Sequence, residues 1–199
     1  MRDYYDARAG EYDEWWLGTG LFADRDRRGW AGEVLELQAA LDALAPLRTI
    51  DIACGTGFLT RHLPGEVVGI DQSERMLTIA RGRVPGARFI HADAFAVPFS
   101  DDAFERLFTG HFYGHLDPAE RAEFLREARR LARELVVVDS ALRPGVDPES
   151  VQERVLNDGS RWEVLKRFFT ADALIEELGG EGRALFAGAW FVAVQCPLA

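Results

Sequence analysis

A single lysine, Lys166, stands in a chain of 199 residues, and cysteine and methionine occur only twice each. So few thiols exclude a disulfide framework. Cys54 and Cys196 are not spaced as metal ligands, and Cys54 lies in a glycine turn where a disulfide would be awkward. Two free thiols point to a reducing compartment. No apolar run approaches membrane-spanning length, and the polar start Met1-Arg2-Asp3-Tyr4-Tyr5-Asp6 lacks the apolar core of a signal segment. A soluble, cytoplasmic protein is expected. Positive charge is also short: 23 Lys+Arg against 33 Asp+Glu leave a net charge of −10. A nucleic-acid partner calls for a basic face. Here the arginines are scattered, and the nearest thing to a patch, Arg25, Arg27 and Arg28, is diluted by Asp24 and Asp26. The lack of lysine reads as coding bias. Neither nucleic acid nor membrane is expected as a partner, and no oligomeric state is implied.

What remains is an ordinary globular composition, 48% hydrophobic and 28% charged, long enough for one domain with a sizeable core. Repeats and low-complexity tracts are missing. Residues 48–53 and 66–71 read as short apolar strands of a sheet buried on both faces. Ser73 caps a helix with Met76, Leu77, Ala80 and Val84 on one face. Strands follow at 87–91, 107–109 and 134–139, the last with three consecutive valines. Asp117-Pro118 with Glu120 starts another helix, and Thr170 caps one running to Leu178. Arg183 to Phe186 and Ala189 to Val194 read as a hairpin. Alternating strands and helices predict a doubly wound α/β sheet with right-handed crossovers. Before it, Leu35, Leu41 and Leu44 space out a helix ending near Pro46. Residues 140–169 interrupt the rhythm with a loop at Pro144, Gly145 and Pro148, a short helix at Val151 to Leu156, and a turn at Asn157-Asp158-Gly159-Ser160.

The chemistry is concentrated at Thr49-Ile50-Asp51-Ile52-Ala53-Cys54-Gly55-Thr56-Gly57, followed fourteen residues after Gly57 by Asp71. An apolar strand ends in a turn whose glycines admit a ligand close to the backbone, and a second strand delivers a carboxylate beside it. Such a carboxylate can accept two hydrogen bonds from a ribose diol, so a nucleoside-containing cofactor is expected. The dinucleotide fingerprint would need a glycine at position 60, where Thr60 stands, which argues against an NAD-dependent oxidoreductase. Asp51 would repel a pyrophosphate but suits a ligand bearing an ammonium group.

The pattern D-x-x-C-G-T-G resembles the first motif of class I S-adenosylmethionine-dependent methyltransferases. Gly69-Ile70-Asp71-Gln72-Ser73 with Met76, Ala92-Asp93-Ala94-Phe95, and Phe104-Glu105-Arg106-Leu107-Phe108 resemble the motifs that follow in the same order. The N-terminal Tyr4-Tyr5-Asp6…Tyr12-Asp13 is similar to that of small-molecule, quinone-biosynthesis-type members. The resemblance covers residues 45–196 and implies a Rossmann-like, mostly parallel seven-stranded sheet with a C-terminal antiparallel hairpin. It also implies S-adenosylmethionine as cofactor, S-adenosylhomocysteine as product, no metal, and a small-molecule methyl acceptor. The single domain divides into an N-terminal helical lid (1–45), a cofactor-binding core (46–139), an insertion near the substrate pocket (140–169), and a last helix with hairpin (170–199).

By the same resemblance Asp51, Ala53, Cys54, Gly55 and Gly57 hold the methionine moiety. Asp71 binds the ribose, Gln72 and Met76 flank the adenine, and Asp93, Ala94 and Phe95 complete its slot. Gly110 lies nearest the methionine end, and Tyr12 folds over the cofactor. Tyr5, Trp15, Trp16 and Arg161 are expected to wall the acceptor site. His111 or His115 could serve as a general base, since imidazole titrates near neutrality; metal binding by the pair, or a structural role, stays open. A non-catalytic module that binds S-adenosylmethionine is the alternative from another class.

Overall fold

Val136, Val137 and Val138 are divided between two apolar layers, because successive strand side chains point to opposite faces. Val137 packs with Ile50, Ile52, Ile70 and Leu107 on one side of the sheet. Val136 and Val138 pack with Leu37, Phe58, Phe108 and Phe191 on the other. The computed structural model describes residues 2–198. Its helices are α1 (Arg2–Arg8), α2 (Glu14–Leu17), α3 (Trp30–Asp42), α4 (Glu74–Arg83), α5 (Pro118–Leu131) and α6 (Ala171–Glu177). Its strands are β1 (Thr49–Ile52), β2 (Val67–Asp71), β3 (Arg88–His91), β4 (Arg106–Gly110), β5 (Glu134–Ser140), β6 (Glu149–Val155), β7 (Arg161–Arg167), β8 (Arg183–Ala187) and β9 (Phe191–Pro197).

Seven strands form one sheet in the order β3-β2-β1-β4-β5-β9-β8. The first five are parallel, and the closing hairpin β8–β9 is antiparallel, with β9 paired to β5. This is the expected doubly wound architecture. α5 begins with the expected capping box: Asp117 accepts from the Glu120 amide at 2.9 Å while Glu120 accepts from the Asp117 amide at 2.9 Å. Phe124, Ala128 and Leu131 bury its stripe against the sheet. Ser73 caps α4 and Thr170 caps α6, as their positions predict. No helix among the described residues is long and apolar enough to cross a membrane.

Two sequence expectations fail here. α3 buries Trp30, Val34, Leu37 and Leu41, whereas Leu35, taken as part of its apolar stripe, is 66% exposed. A stripe read from three leucines missed that valine and tryptophan complete the 3.6-residue period. The expected helix at 151–156 is strand β6, paired antiparallel with β7 from Glu149↔Arg167 to Val155↔Arg161. Its burial alternates strictly, the period of a strand and not of a helix. Because the period is two, Gln152 and Arg154 face inward with Trp162, Val164 and Lys166, and Arg161 and Glu163 face solvent. This hairpin stands apart from the main sheet and covers the C-terminal end of β5 together with α1, through Tyr4, Leu156 and Val164.

Candidate active site

Strand order reverses between β1 and β4, so their C-terminal ends open a crevice where doubly wound sheets hold ligands. After β1 the chain turns through Ala53, Gly55 and Gly57 with φ of 58°, 55° and 73°. Glycine carries two of these left-handed positions without steric cost. Asp71 pins the turn: its Oδ2 accepts from the Gly55 amide at 2.9 Å and its Oδ1 from the Ser73 amide at 2.8 Å. Each oxygen keeps a second lone pair for a ligand.

Asp71 lines a cavity of about 280 Å³ together with Tyr12, Ala53, Gly55, Gln72, Met76, Asp93, Ala94, Phe95 and Gly110. Ten of the thirteen expected cofactor residues are thus brought to one space. Gly57 does not line this cavity; it lets the turn approach α4, where an added Cβ would lie 3.3 Å from that of Ala80. Asp51 and Cys54 line a narrow cleft that adjoins the same turn. Asp51 is fully buried. Its Oδ2 accepts from the Thr60 hydroxyl at 2.6 Å, while its Oδ1 has no partner among the described residues. Burial pushes this carboxyl up to about 8 against the opposing Thr60 hydrogen bond, and the nearby Asp71 adds to the rise. An orphaned buried oxygen is costly unless a donor arrives.

A second cavity, of about 390 Å³, shares Tyr5, Tyr12 and His111 with the first. His111 follows β4 with φ 54°, an uncommon conformation for a side-chain-bearing residue. Its ring is held edge-on by Trp15 and Trp16, with centroids 4.8 and 5.0 Å away. Its Nδ1 lies 3.7 Å from Asp139 Oδ1, and its Nε2 is buried without a partner among the described residues. Burial pulls the imidazole pKa down, opposed by Asp139, so the ring is neutral at neutral pH. His115 lines only the second cavity. Its Nδ1 donates to the Leu165 carbonyl at 2.6 Å, and burial, with Lys166 adding to it, brings its pKa to about 3, a poor base. No three His, Cys, Asp or Glu residues converge as metal ligands among the described residues.

Trp15 lines the second cavity beside Tyr5, as expected for acceptor-site walls. Trp16 and Arg161 do not. Trp16 is stacked between Phe58 and Phe191, 4.7 and 5.4 Å away, in the core beneath the turn. Arg161 sits on the outward parity of β7 and pairs with Glu153 on the solvent side. The inward parity carries Lys166, whose Nζ lies 2.6 Å from the fully buried Asp139 Oδ1. Neither member of this pair has a site role that the sequence alone displays.

The N-terminal segment is latched over both cavities. Asp6 accepts from the Ser73 hydroxyl. Asp13 accepts from the Thr56 hydroxyl at 2.7 Å and pairs with Arg83. Glu11 accepts from the Asn157 amide at 2.8 Å, tying the segment to the β6–β7 hairpin. Asp6 and Asp13 lie within the N-terminal pattern that the sequence displays, but only their contacts reveal them as latches.

Residues 50–134 match the family model described as a methyltransferase domain. A demethylmenaquinone methyltransferase of Thermotoga maritima is 33% identical over 109 residues, 52% of this chain and 45% of that protein. The methyltransferase GfsG of Streptomyces halstedii is 29% identical over 172 residues, 73% of this chain and 59% of that one. The chain therefore spans about half the length of the curated relatives it matches. Among solved structures, the complex of DhpI with SAH superposes with a TM-score of 0.71 at 24% identity, covering 98% of this chain and 93% of that chain, and so shares the fold.

Proposed function

We propose that this chain is a class I S-adenosylmethionine-dependent methyltransferase and transfers the cofactor's methyl group to a small-molecule acceptor. The observation that carries this reading is a pair of adjacent cavities that share His111, Tyr5 and Tyr12, one built on the glycine turn and Asp71, the other under the N-terminal segment. The residues present fit the cofactor. The orphaned Asp51 Oδ1 suits its ammonium, the free lone pairs of Asp71 suit a ribose diol, and Asp93, Ala94 and Phe95 suit an adenine edge.

When bound, the cofactor supplies a methyl already activated on sulfonium, so the chain has mainly to position the acceptor and exclude water. Tyr5, Tyr12 and Trp15 wall the acceptor side. His111, neutral and with Nε2 unpaired, takes the acceptor's proton where the acceptor carries one. Two of the relatives are named for quinone-type acceptors, a demethylmenaquinone methyltransferase and a 2-phytyl-1,4-naphtoquinone methyltransferase.

Asp71→Ala should remove the ribose hydrogen bonds and weaken S-adenosylhomocysteine binding by about 1.5–3 kcal/mol. Calorimetry on a folded variant with unchanged affinity would overturn the assignment. Asp51 gives a second expectation. Its folded pKa of about 8 lies above the unfolded carboxylate value, so its contribution to stability is full below pH ~4 and is lost as pH rises through 8. An ammonium beside it favours the carboxylate, so binding releases a proton below pH 8, and affinity rises with pH toward that value. Calorimetry of S-adenosylhomocysteine binding at pH 6.5 in buffers of different ionisation heat should show this release. Asp51→Asn should abolish it; a release unchanged in that variant would assign the proton elsewhere.

A further inference from the structure

Five arginines, Arg8, Arg25, Arg27, Arg143 and Arg154, line the cavity beyond His111. They gather there in a chain whose net charge is −10. None has a carboxylate within 4.0 Å among the described residues, although most other arginines in this structure are paired. The lone acidic residue on the wall, Asp26, is exposed and faces Arg28. Lys166 also reaches the cavity but is already held by Asp139.

Arg25 is exposed and Arg27 donates to the Trp15 and Phe22 carbonyls, whereas Arg8, Arg143 and Arg154 are half-buried and line one space. Arg154 reaches it from the inward parity of β6, and neither Arg154 nor Arg143 makes a side-chain hydrogen bond among the described residues. Arg143 lies over the Trp190 ring at 3.9 Å, and Arg8, which donates one N–H to the Tyr4 hydroxyl at 2.8 Å, lies over the Tyr12 ring at 4.8 Å. Stacking holds a guanidinium while leaving other N–H groups free for an oxyanion. Burial lowers the Arg154 pKa, opposed by Tyr4 and reinforced by the repulsion of Arg8 and Arg25, and a bound anion would favour the charged form.

We propose that the methyl acceptor is a small organic oxyanion, carboxylate or phosphoryl, whose charged group is gripped by Arg8, Arg143 and Arg154. The inference rests on the methyl-transfer reading and narrows its substrate class. An uncharged quinone with an apolar tail would leave these guanidiniums desolvated and unpaired, so the acceptor differs from the one that the relatives' names suggest. The lid arginine Arg8 makes the same anion a latch: with it bound, α1 gains a counter-charge on the hairpin side.

The test uses the whole protein saturated with S-adenosylhomocysteine. Saturation is established first by calorimetry with no anion present; failure there sinks the methyl-transfer reading and not this one. Inorganic phosphate, phenyl phosphate, benzoate and uncharged 1,4-naphthoquinone are then titrated separately. Binding of phenyl phosphate but not benzoate marks a phosphoryl acceptor, and the reverse marks a carboxylate. Arg154→Gln and Arg143→Gln should each weaken the bound anion by at least about tenfold, the scale of one charge-assisted hydrogen bond. The exposed Arg129→Gln, outside the cavity, should change nothing. Naphthoquinone binding without anion binding, no binding by any anion, or equal weakening in all three variants would overturn the proposal.

Discussion

Replacing Lys166 with methionine is expected to destabilise the fold by about 3–5 kcal/mol, the cost of leaving a buried charge without its partner. In a chain of this size that lowers the melting temperature by roughly 6–20 °C. Asp139 has no access to solvent. Its Oδ1 accepts from Lys166 Nζ at 2.6 Å and from the Ser140 amide at 2.8 Å, and its Oδ2 from the Gly114 amide at 2.7 Å. The approach to Gly114 is possible because a Cβ there would lie 2.8 Å from that oxygen. One carboxylate thus joins β5, the turn at 113–115 and the hairpin strand β7. Burial pushes the Asp139 carboxyl up, but Lys166 and His111 pull it well below the ordinary carboxylate range.

The sign follows from that depression. A carboxyl with lowered folded pKa stabilises the protein above the unfolded value near 3.9, and this is lost as pH falls below it. The loss in Lys166→Met should therefore be large at pH 7 and shrink toward pH 3, where Asp139 of the variant is protonated. Urea unfolding at both pH values measures it. Adding Asp139→Leu to Lys166→Met should recover part of the loss, since an apolar pair leaves no orphaned charge. A variant as stable as the parent at pH 7 would show that the pair is solvated and carries no structural weight.

Local signals were legible wherever they were self-contained. The capping box at Asp117, the caps Ser73 and Thr170, and the apolar strands β1, β2 and β5 each declare themselves within a few residues. The turn and Asp71 could be read as a unit because their spacing follows one strand–turn–helix–strand passage. The acceptor side is built otherwise. Arg8, Arg143 and Arg154 come from a helix, a loop and a separate hairpin, and no short motif links them. The hairpin's first strand reads as a short helix at 151–156 because a short run with valines at 151 and 155 fits both periods. That error carried the choice of Arg161 with it: once β7 is a strand, parity alone sends Arg161 outward and Lys166 inward. Lys166 then looked like an accident of composition, when it is the counter-ion of a buried aspartate in the same wall.

Removing residues 1–9 should leave a folded protein whose turnover falls by at least about 100-fold, because positioning of the acceptor and exclusion of water both depend on closure. α1 supplies Tyr5 and Arg8 to the cavities, and Asp6 latches it to Ser73 at the start of α4. The main sheet and α3 to α6 are complete without it. The lid does not extend through residue 16, however. Trp16 is a core residue, stacked on Phe58 and Phe191, and its carbonyl accepts from the Trp30 indole at 2.8 Å. Trp16→Ala should cost about 3–5 kcal/mol, as for other large buried aromatics. On this reading the boundary between lid and core falls near Asp13, where Thr56 and Arg83 hold the chain. Hydrogen exchange separates the two parts directly. Amides of residues 4–8 should exchange readily in the free protein and become protected when S-adenosylhomocysteine is added, while those of α2 are protected in both states. If residues 4–8 are equally protected with and without ligand, α1 is a permanent wall of the site and its deletion acts by exposing the core.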